Sequence, residues 1–392
     1  MKLSHFLRKK MVAAMVSYRK GAPNPEIDRS RLNHQRIALV KLDGIGDFVL
    51  ATSFLQLFRS QLPDAEITLF CRKPVGEIAR QQFPEWTVVE LAGRKSPVKS
   101  IFFDAATRQL LKSQPPFDLL LDLRAYRDMA DSAATSWIPA KTKLAMENSH
   151  PEFLSWVVCP AEERIYDRLL PLPDYQDSGV AYDIQNHRLF AEHLFPKLAE
   201  CRTALPKLAV SQSEKEALAR RFFPKLDSPF LLICPGTSIP IKEYPAKSLA
   251  AAILKVLEKK TMPIVIAGAK SDARTIAPLL EELKMLVPID VSGKLNLAEH
   301  TTLISMSHAV LSMDSSHAHI AGALGVPAVV ILGGGHPGFF APWGESKTFR
   351  WLTHPLPCFG CHWACIYDRP LCIQDIPPAQ IAKNLLEILQ EQ

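Results

Sequence analysis

Twice along this chain a short β-branched run gives way to a tight turn and a helical run, and the cycle then repeats. Ile37–Leu42 reads as a strand, Asp47–Leu62 as a helix, Ile67–Cys71 as the next strand and Phe117–Leu123 as a later one. After Pro229 the alternation restarts. Strands at Phe230–Cys234, Met262–Ala267, Ala309–Met313 and Ala328–Leu332 interleave with helices at Ala246–Lys259, Asp272–Met285, Leu297–Ser307 and Ser315–Leu324. Strands separated by helices pair in parallel, because a crossover returns the chain to the same end of the sheet. The prediction is α/β, with two Rossmann-like domains facing a central cleft and ligands at the carboxyl ends of the strands.

A chain of 392 residues also exceeds what one core of ordinary size serves, so two domains of roughly 150–200 residues follow. The expected limits are a basic segment at 1–35, a first domain at 36–205, a connection at 206–228 and a second domain at 229–392. Proline, tryptophan and acidic residues interrupt Ala125–Leu205, and part of that stretch is expected to be irregular loops. A last helix is expected near Pro378–Gln390.

Lys2, Arg8, Lys9, Lys10, Arg19 and Lys20 put six positive charges and no acid in the first twenty residues, matching the whole chain's net charge of +6. Leu3, Phe6, Leu7, Met11, Ala14, Met15 and Tyr18 recur at helical spacings, so a helix here has one apolar face among cations. It either lies on an anionic membrane surface or docks on its own domain. The most apolar stretch, Ala309–Gly334, carries Asp314, His317, His319 and Pro327, which excludes a spanning helix. Cys71, Cys159, Cys201 and Cys234 are scattered, unlike a secreted disulfide framework, and a reducing cytoplasm is expected. No nucleic-acid partner is expected.

Three strand-end turns carry the candidate chemistry. Leu42-Asp43-Gly44-Ile45-Gly46-Asp47 leads straight into a helix, which places Asp47 either as a cap for N–H groups or as a general base. Pro235-Gly236-Thr237-Ser238, with Lys242 beyond it, offers N–H groups, two hydroxyls and an ammonium to a diphosphate. Asp314-Ser315-Ser316-His317-Ala318-His319 opens another helix with two hydroxyls and further N–H groups. His317 and His319, two apart, point to different helix faces and argue against a shared metal.

Gly333, Gly335 and Gly338 spell a dinucleotide-like pattern, but Pro337 and the aromatics after it do not open a helix. That loop is expected to be mobile or substrate-lining. Cys358, Cys361, Cys365 and Cys372 put four thiols within fifteen residues. They read either as a closed structural site for zinc or iron or as plain reduced thiols.

Taken in order, these phrases resemble glycosyltransferase family 9, the heptosyltransferases that build the inner core of lipopolysaccharide. The resemblance runs from Arg36 onward. It rests on Ile37–Leu57, Pro63–Thr68, Asp118–Arg124, PGTS with Lys242-Glu243-Tyr244-Pro245, Gly268–Asp272, Val291–Leu295 and Asp314–Ala321. It implies a GT-B fold, a metal-independent inverting transfer with no cofactor, and a nucleotide-diphosphate heptose donor, usually ADP-heptose. By position Asp47 matches the family's general base. Thr237, Ser238 and Lys242 match its diphosphate contacts, and Asp314, Ser315, Ser316 and His319 its second donor loop. Ser316 replaces a usual glycine, Tyr244 a usual tryptophan, and Lys270 stands where some members place a ribose-binding acid.

On that resemblance Arg124 and Arg127 either bind acidic groups of a lipopolysaccharide acceptor or form surface salt bridges. The basic helix at 1–20 would hold a cytoplasmic enzyme at the inner face of the membrane. Two rivals remain: a sugar-nucleotide epimerase or hydrolase on the same architecture, and a non-catalytic sugar-nucleotide-binding assembly protein.

Overall fold

The computed structural model describes residues 16–17, 29–92, 104–124, 126–148, 162–172, 180–223 and 228–391. The expected amphipathic helix at 1–20 lies outside them, apart from Val16, buried in the first unit's core, and Ser17, whose N–H donates to Ser136 Oγ at 3.1 Å.

Spatial grouping yields two compact units that do not follow chain order. The first comprises Met1–Gly44, Ser53–Tyr175 and Gln185–Ala204; the second comprises Ile45–Thr52, Gln176–Ile184 and Leu205–Gln392. In the first, β1 (Arg36–Lys41), β2 (Glu66–Arg72), β3 (Thr87–Leu91), β4 (Phe117–Asp122), β5 (Ala140–Met146) and β6 (Arg168–Leu170) form one sheet in the order β3-β2-β1-β4-β5-β6. Every pairing is parallel. β1 and β4 are almost wholly buried, as central strands covered by helices on both faces must be.

The second unit repeats the design. β7 (Leu231–Cys234), β8 (Ile264–Ile266), β9 (Ile289–Asp290), β10 (Ala309–Met313), β11 (Ala328–Ile331) and β12 (Phe349–Leu352) pair in parallel in the order β12-β11-β10-β7-β8-β9. Counted from its own first strand, this is the connection order of the first sheet. Both place the reversal of strand order between the first and fourth strands, where doubly wound sheets hold ligands. No described helix is long and apolar enough to cross a membrane.

Two stretches differ from expectation. Between Ala125 and Leu205, expected in part as irregular loops, the described residues include α-helix Met129–Trp137, β5, β6 and helix Tyr182–Leu194. Its patterning is hidden because buried positions are polar yet satisfied internally. Lys143, in β5, is buried with Nζ donating to the carbonyls of Thr135 at 2.9 Å and Ser136 at 3.1 Å. The stretch 206–228, expected as a connection, carries helix Gln212–Phe222, opened by a Ser211–Glu214 capping box and belonging to the second unit.

Arg127, expected to meet an acceptor or solvent, does neither. It is fully buried, and its guanidinium donates to the carbonyls of Arg124 and, at 2.6 Å, Met146. The cation lies 5.0 Å from the Tyr166 ring centroid. It also offsets the burial of Asp122, whose carboxyl accepts from Tyr166 at 2.6 Å and Thr135 at 2.9 Å. Burial pushes that carboxyl's pKa up, against the pull of Arg127. Arg127→Leu therefore leaves an uncompensated buried carboxylate and two carbonyls without their donor, and is expected to cost about 3–5 kcal/mol. Urea denaturation measures this, and a loss below about 1 kcal/mol would contradict the role.

Arg124 is held in the same unit. Its guanidinium pairs with Asp131 and lies 3.6 Å from Asp43, which also takes the Lys41 ammonium at 2.9 Å. The side chain keeps 18% of its surface exposed, so it is anchored yet still reaches solvent.

Candidate active site

The second unit brings two of the strand-end turns together. Leaving β7, the chain passes Pro235–Ser238 and makes a short 3-10 turn at Pro240–Lys242. Thr237 Oγ1 donates to Ile239 O at 2.8 Å, fixing the turn that presents Lys242. Leaving β10, the neighbouring strand, the chain reaches Asp314 just before the helix Ser316–Leu324. Lys242 Nζ lies 2.8 Å from Asp314 Oδ2 and 4.6 Å from the centroid of the Trp363 ring. The ammonium is thus placed from two sides before any ligand arrives. These groups line a pocket of about 160 Å³ with Ser238, Ile239, Leu332, His336, Phe340 and Ala341.

The histidines of this region are neutral. His319 is buried in the first helical turns after Asp314, and its Nδ1 accepts from Trp343 Nε1 at 3.0 Å. Burial pushes its pKa down to about 4, against the attraction of Asp314. His336 is likewise pushed down to about 4 by burial, with His362 and Lys242 adding to the effect. Around neutral pH both rings therefore offer hydrogen bonds without charge, and Lys242 is the cation of the pocket lining. Ser315 Oγ lies 2.9 Å from His317 Nδ1, so that hydroxyl is engaged locally.

Asp47 sits in the first turn of α1 (Ile45–Gln61), partly exposed. The first residues of this helix group with the second unit, and the reason is a contact: a Cβ on Gly46 would fall 2.9 Å from Cδ2 of His319. Glycine is required there because the helix start rests on the imidazole.

Residues 184–365 match the description "Glycosyltransferase family 9 (heptosyltransferase)". The chain is 22% identical over 339 residues to the lipooligosaccharide heptosyltransferase 2 of Haemophilus influenzae, covering 80% of this chain and 87% of that protein. Over that span the chain is similar to glycosyltransferase family 9. With lipopolysaccharide heptosyltransferase 2 of Salmonella typhimurium the identity is 26% over 192 residues, 48% of this chain and about half (54%) of the length of that relative. The solved structure of the E. coli ADP-heptose LPS heptosyltransferase II superposes with a TM-score of 0.66 at 16% identity, covering 91% of this chain and 99% of that one. The fold is therefore the GT-B type.

The glycine-rich loop expected to be mobile or substrate-lining supplies His336, Phe340 and Ala341 to the pocket wall, whereas Trp363 was missed, because it comes from the cysteine-rich segment read only for its thiols. The glycines serve packing: a Cβ on Gly335 would fall 2.2 Å from the Trp363 ring. The run of glycine beside a distant tryptophan was the available signal, but spacing alone does not say which ring fills the gap.

The four thiols of the cysteine-rich segment gather without closing. Cys372 is buried, its thiol raised by burial and further by the charges of Cys358, Cys361 and Cys365, so all lie within electrostatic reach. Yet they are not among the close groups of metal-ligating side chains in the described residues, as thiolates roughly 3.8 Å apart on one tetrahedral ion at ~2.3 Å would be. Cys365 Sγ instead donates to Arg369 O at 3.8 Å. The donor set suits a soft ion, and the spacing is open.

Proposed function

We propose that this glycosyltransferase passes a heptose from ADP-heptose to a lipopolysaccharide-core acceptor in one inverting displacement. The observation that carries the proposal is the convergence of the two strand-end turns on Lys242, held by Asp314 at 2.8 Å and facing Trp363 in a pocket it shares with Ser238 and His336. A fixed ammonium beside a hydroxyl and the N–H groups of a turn suits a diphosphate. At about 160 Å³ the pocket is smaller than the ~300–1,000 Å³ of sites that enclose a whole ligand. It suits the diphosphate and its neighbouring sugar, with the nucleoside beyond. The relatives named for heptose transfer and the solved E. coli ADP-heptose LPS heptosyltransferase II support this choice of donor.

In this reading Asp47 takes the proton of the acceptor hydroxyl as that oxygen bonds to the anomeric carbon. The bond from that carbon to the diphosphate breaks on the opposite face, and ADP leaves with the electron pair. Lys242 and the turn N–H groups stabilise the charge that grows on the leaving oxygen, so the step calls on no divalent ion. Arg124 remains the acceptor-side cation of the proposal. The four thiols would hold a structural zinc or iron once drawn together, and the basic segment at 1–20 would contact the membrane surface from the cytoplasm.

Calorimetry on the purified chain with ADP-heptose, UDP-sugars and GDP-sugars tests the donor. ADP-heptose is expected to bind at least ~10-fold tighter, about 1.4 kcal/mol. Preference for a uridine or guanosine donor would overturn the assignment. Sugar released or isomerised without acceptor would favour the epimerase or hydrolase reading.

A further inference from the structure

Behind the two donor turns, in the same unit, lies a group of side chains that the transfer reaction does not use. Cys234 is the last residue of β7, immediately before Pro235. His317 stands in the first turn of the helix that follows Asp314. His300 lies on the helix Leu297–Met306. One ligand atom from each falls within 4.8 Å of the other two, and among the described residues no other group of three or more histidine, cysteine or carboxylate side chains is so close. The two imidazoles meet edge to face, with centroids 4.8 Å apart and 70° between planes.

We propose that Cys234, His300 and His317 bind a soft or borderline transition-metal ion, with Zn²⁺ as the representative, at a buried site distinct from the four thiols. Two imidazoles and one thiolate are the ligand types such ions prefer, and three of them leave one tetrahedral position open. A second, independent observation points the same way. His300 is 7% exposed, and its Nε2 has no hydrogen-bond partner. Buried polar atoms are rarely left so, and an ion supplies the missing interaction.

The electrostatic setting of the two imidazoles agrees. Burial holds both imidazoles neutral, His317 down to about 4 and His300 well below its ordinary value, so they are lone-pair donors and not cations. The thiol sets the opposing cost: burial and, after it, the Asp272 carboxylate push the Cys234 pKa up, so the ion must displace a firmly held proton. Binding replaces the Cys234 S–H proton by the metal–sulfur bond and releases that proton to solvent. Ser315 Oγ, 2.9 Å from His317 Nδ1, fixes that ring as outer partners of metal ligands do. The ion would tie the end of β7, the helix after Asp314 and the helix carrying His300 into one clamp beneath the donor turns.

The test uses the full chain, kept reduced, stripped by chelator and titrated with Zn²⁺ or Co²⁺. A variant with Cys358, Cys361, Cys365 and Cys372 all changed to serine is expected to bind one zinc per chain and to show a cobalt–thiolate charge-transfer band. Its melting temperature is expected to rise by roughly 5–10 °C at about a hundredfold excess over Kd. Adding Cys234→Ala or His300→Gln removes the ion, the band and the rise. No zinc bound by the four-serine variant, or an unchanged count after Cys234→Ala or His300→Gln, overturns the proposal. Should the four-serine variant not fold, the unmodified chain and its His300→Gln variant decide by the same count: one ion fewer supports the site, and an equal number removes it.

Discussion

Asp47→Asn is expected to lower kcat by about 10²–10⁴ while leaving donor affinity and melting temperature close to those of the parent enzyme. Asparagine keeps the size of the side chain and an oxygen that accepts from helix N–H groups, so it still serves as a cap. What it loses is a carboxylate near the positive end of a helix, a loss of about 0.3–1 kcal/mol in stability, and the ability to take a proton. The two roles therefore separate in one variant. The start of this helix is seated on the His319 ring through Gly46, which ties the carboxylate's position to the unit that carries the donor turns. Steady-state kinetics with donor and acceptor, calorimetry with donor alone and a thermal melt give the three readouts. Unchanged kcat would reduce Asp47 to a cap and remove the base from the mechanism.

Lys242→Ala is expected to weaken donor binding by roughly 10- to 150-fold, corresponding to about 1.5–3 kcal/mol for a lost charge-assisted hydrogen bond. It is also expected to lower kcat by about 10²–10³, because the ammonium acts most strongly when charge reaches the leaving oxygen. A further effect comes from the pair itself. Asp314, 2.8 Å from the ammonium in the parent, would face the diphosphate as an unneutralised carboxylate. Lys242→Ala combined with Asp314→Ala should therefore bind donor better than Lys242→Ala alone, a coupling that a double-mutant cycle measures. Donor affinity within twofold of the parent in Lys242→Ala would detach the pocket from the diphosphate.

Much of the site was legible because each piece is local. Both strand-end turns, the helix opened by Gly46 and Asp47, and four of the second unit's six strands follow from short runs whose apolar pattern and turn residues carry their own meaning, whereas the edge strands Ile289–Asp290 and Phe349–Leu352 did not stand out. Where patterning is silent the reading failed. Ser211-Gln212-Ser213-Glu214 is a capping-box sequence, but it stood in a stretch expected to be a connection, so its helix was overlooked. β5 escaped notice because Lys143 is buried on carbonyls of the preceding helix, and a lysine at a core position breaks the alternation that marks a strand. Arg127 beside Arg124 suggested a cationic surface, whereas one of the two is wholly internal.

Local patterning therefore settles the α/β class, the two repeated units and the turns that face the strand ends, since propensity and apolar periodicity act over a few residues. Packing alone decides which side chains meet. Trp363 comes to lie over Lys242, His336 joins the same pocket, Arg127 turns inward to Asp122, and Cys234 gathers with His300 and His317. These encounters depend on distances through space between segments far apart in the chain, and on the burial they share, neither of which a spacing of letters encodes.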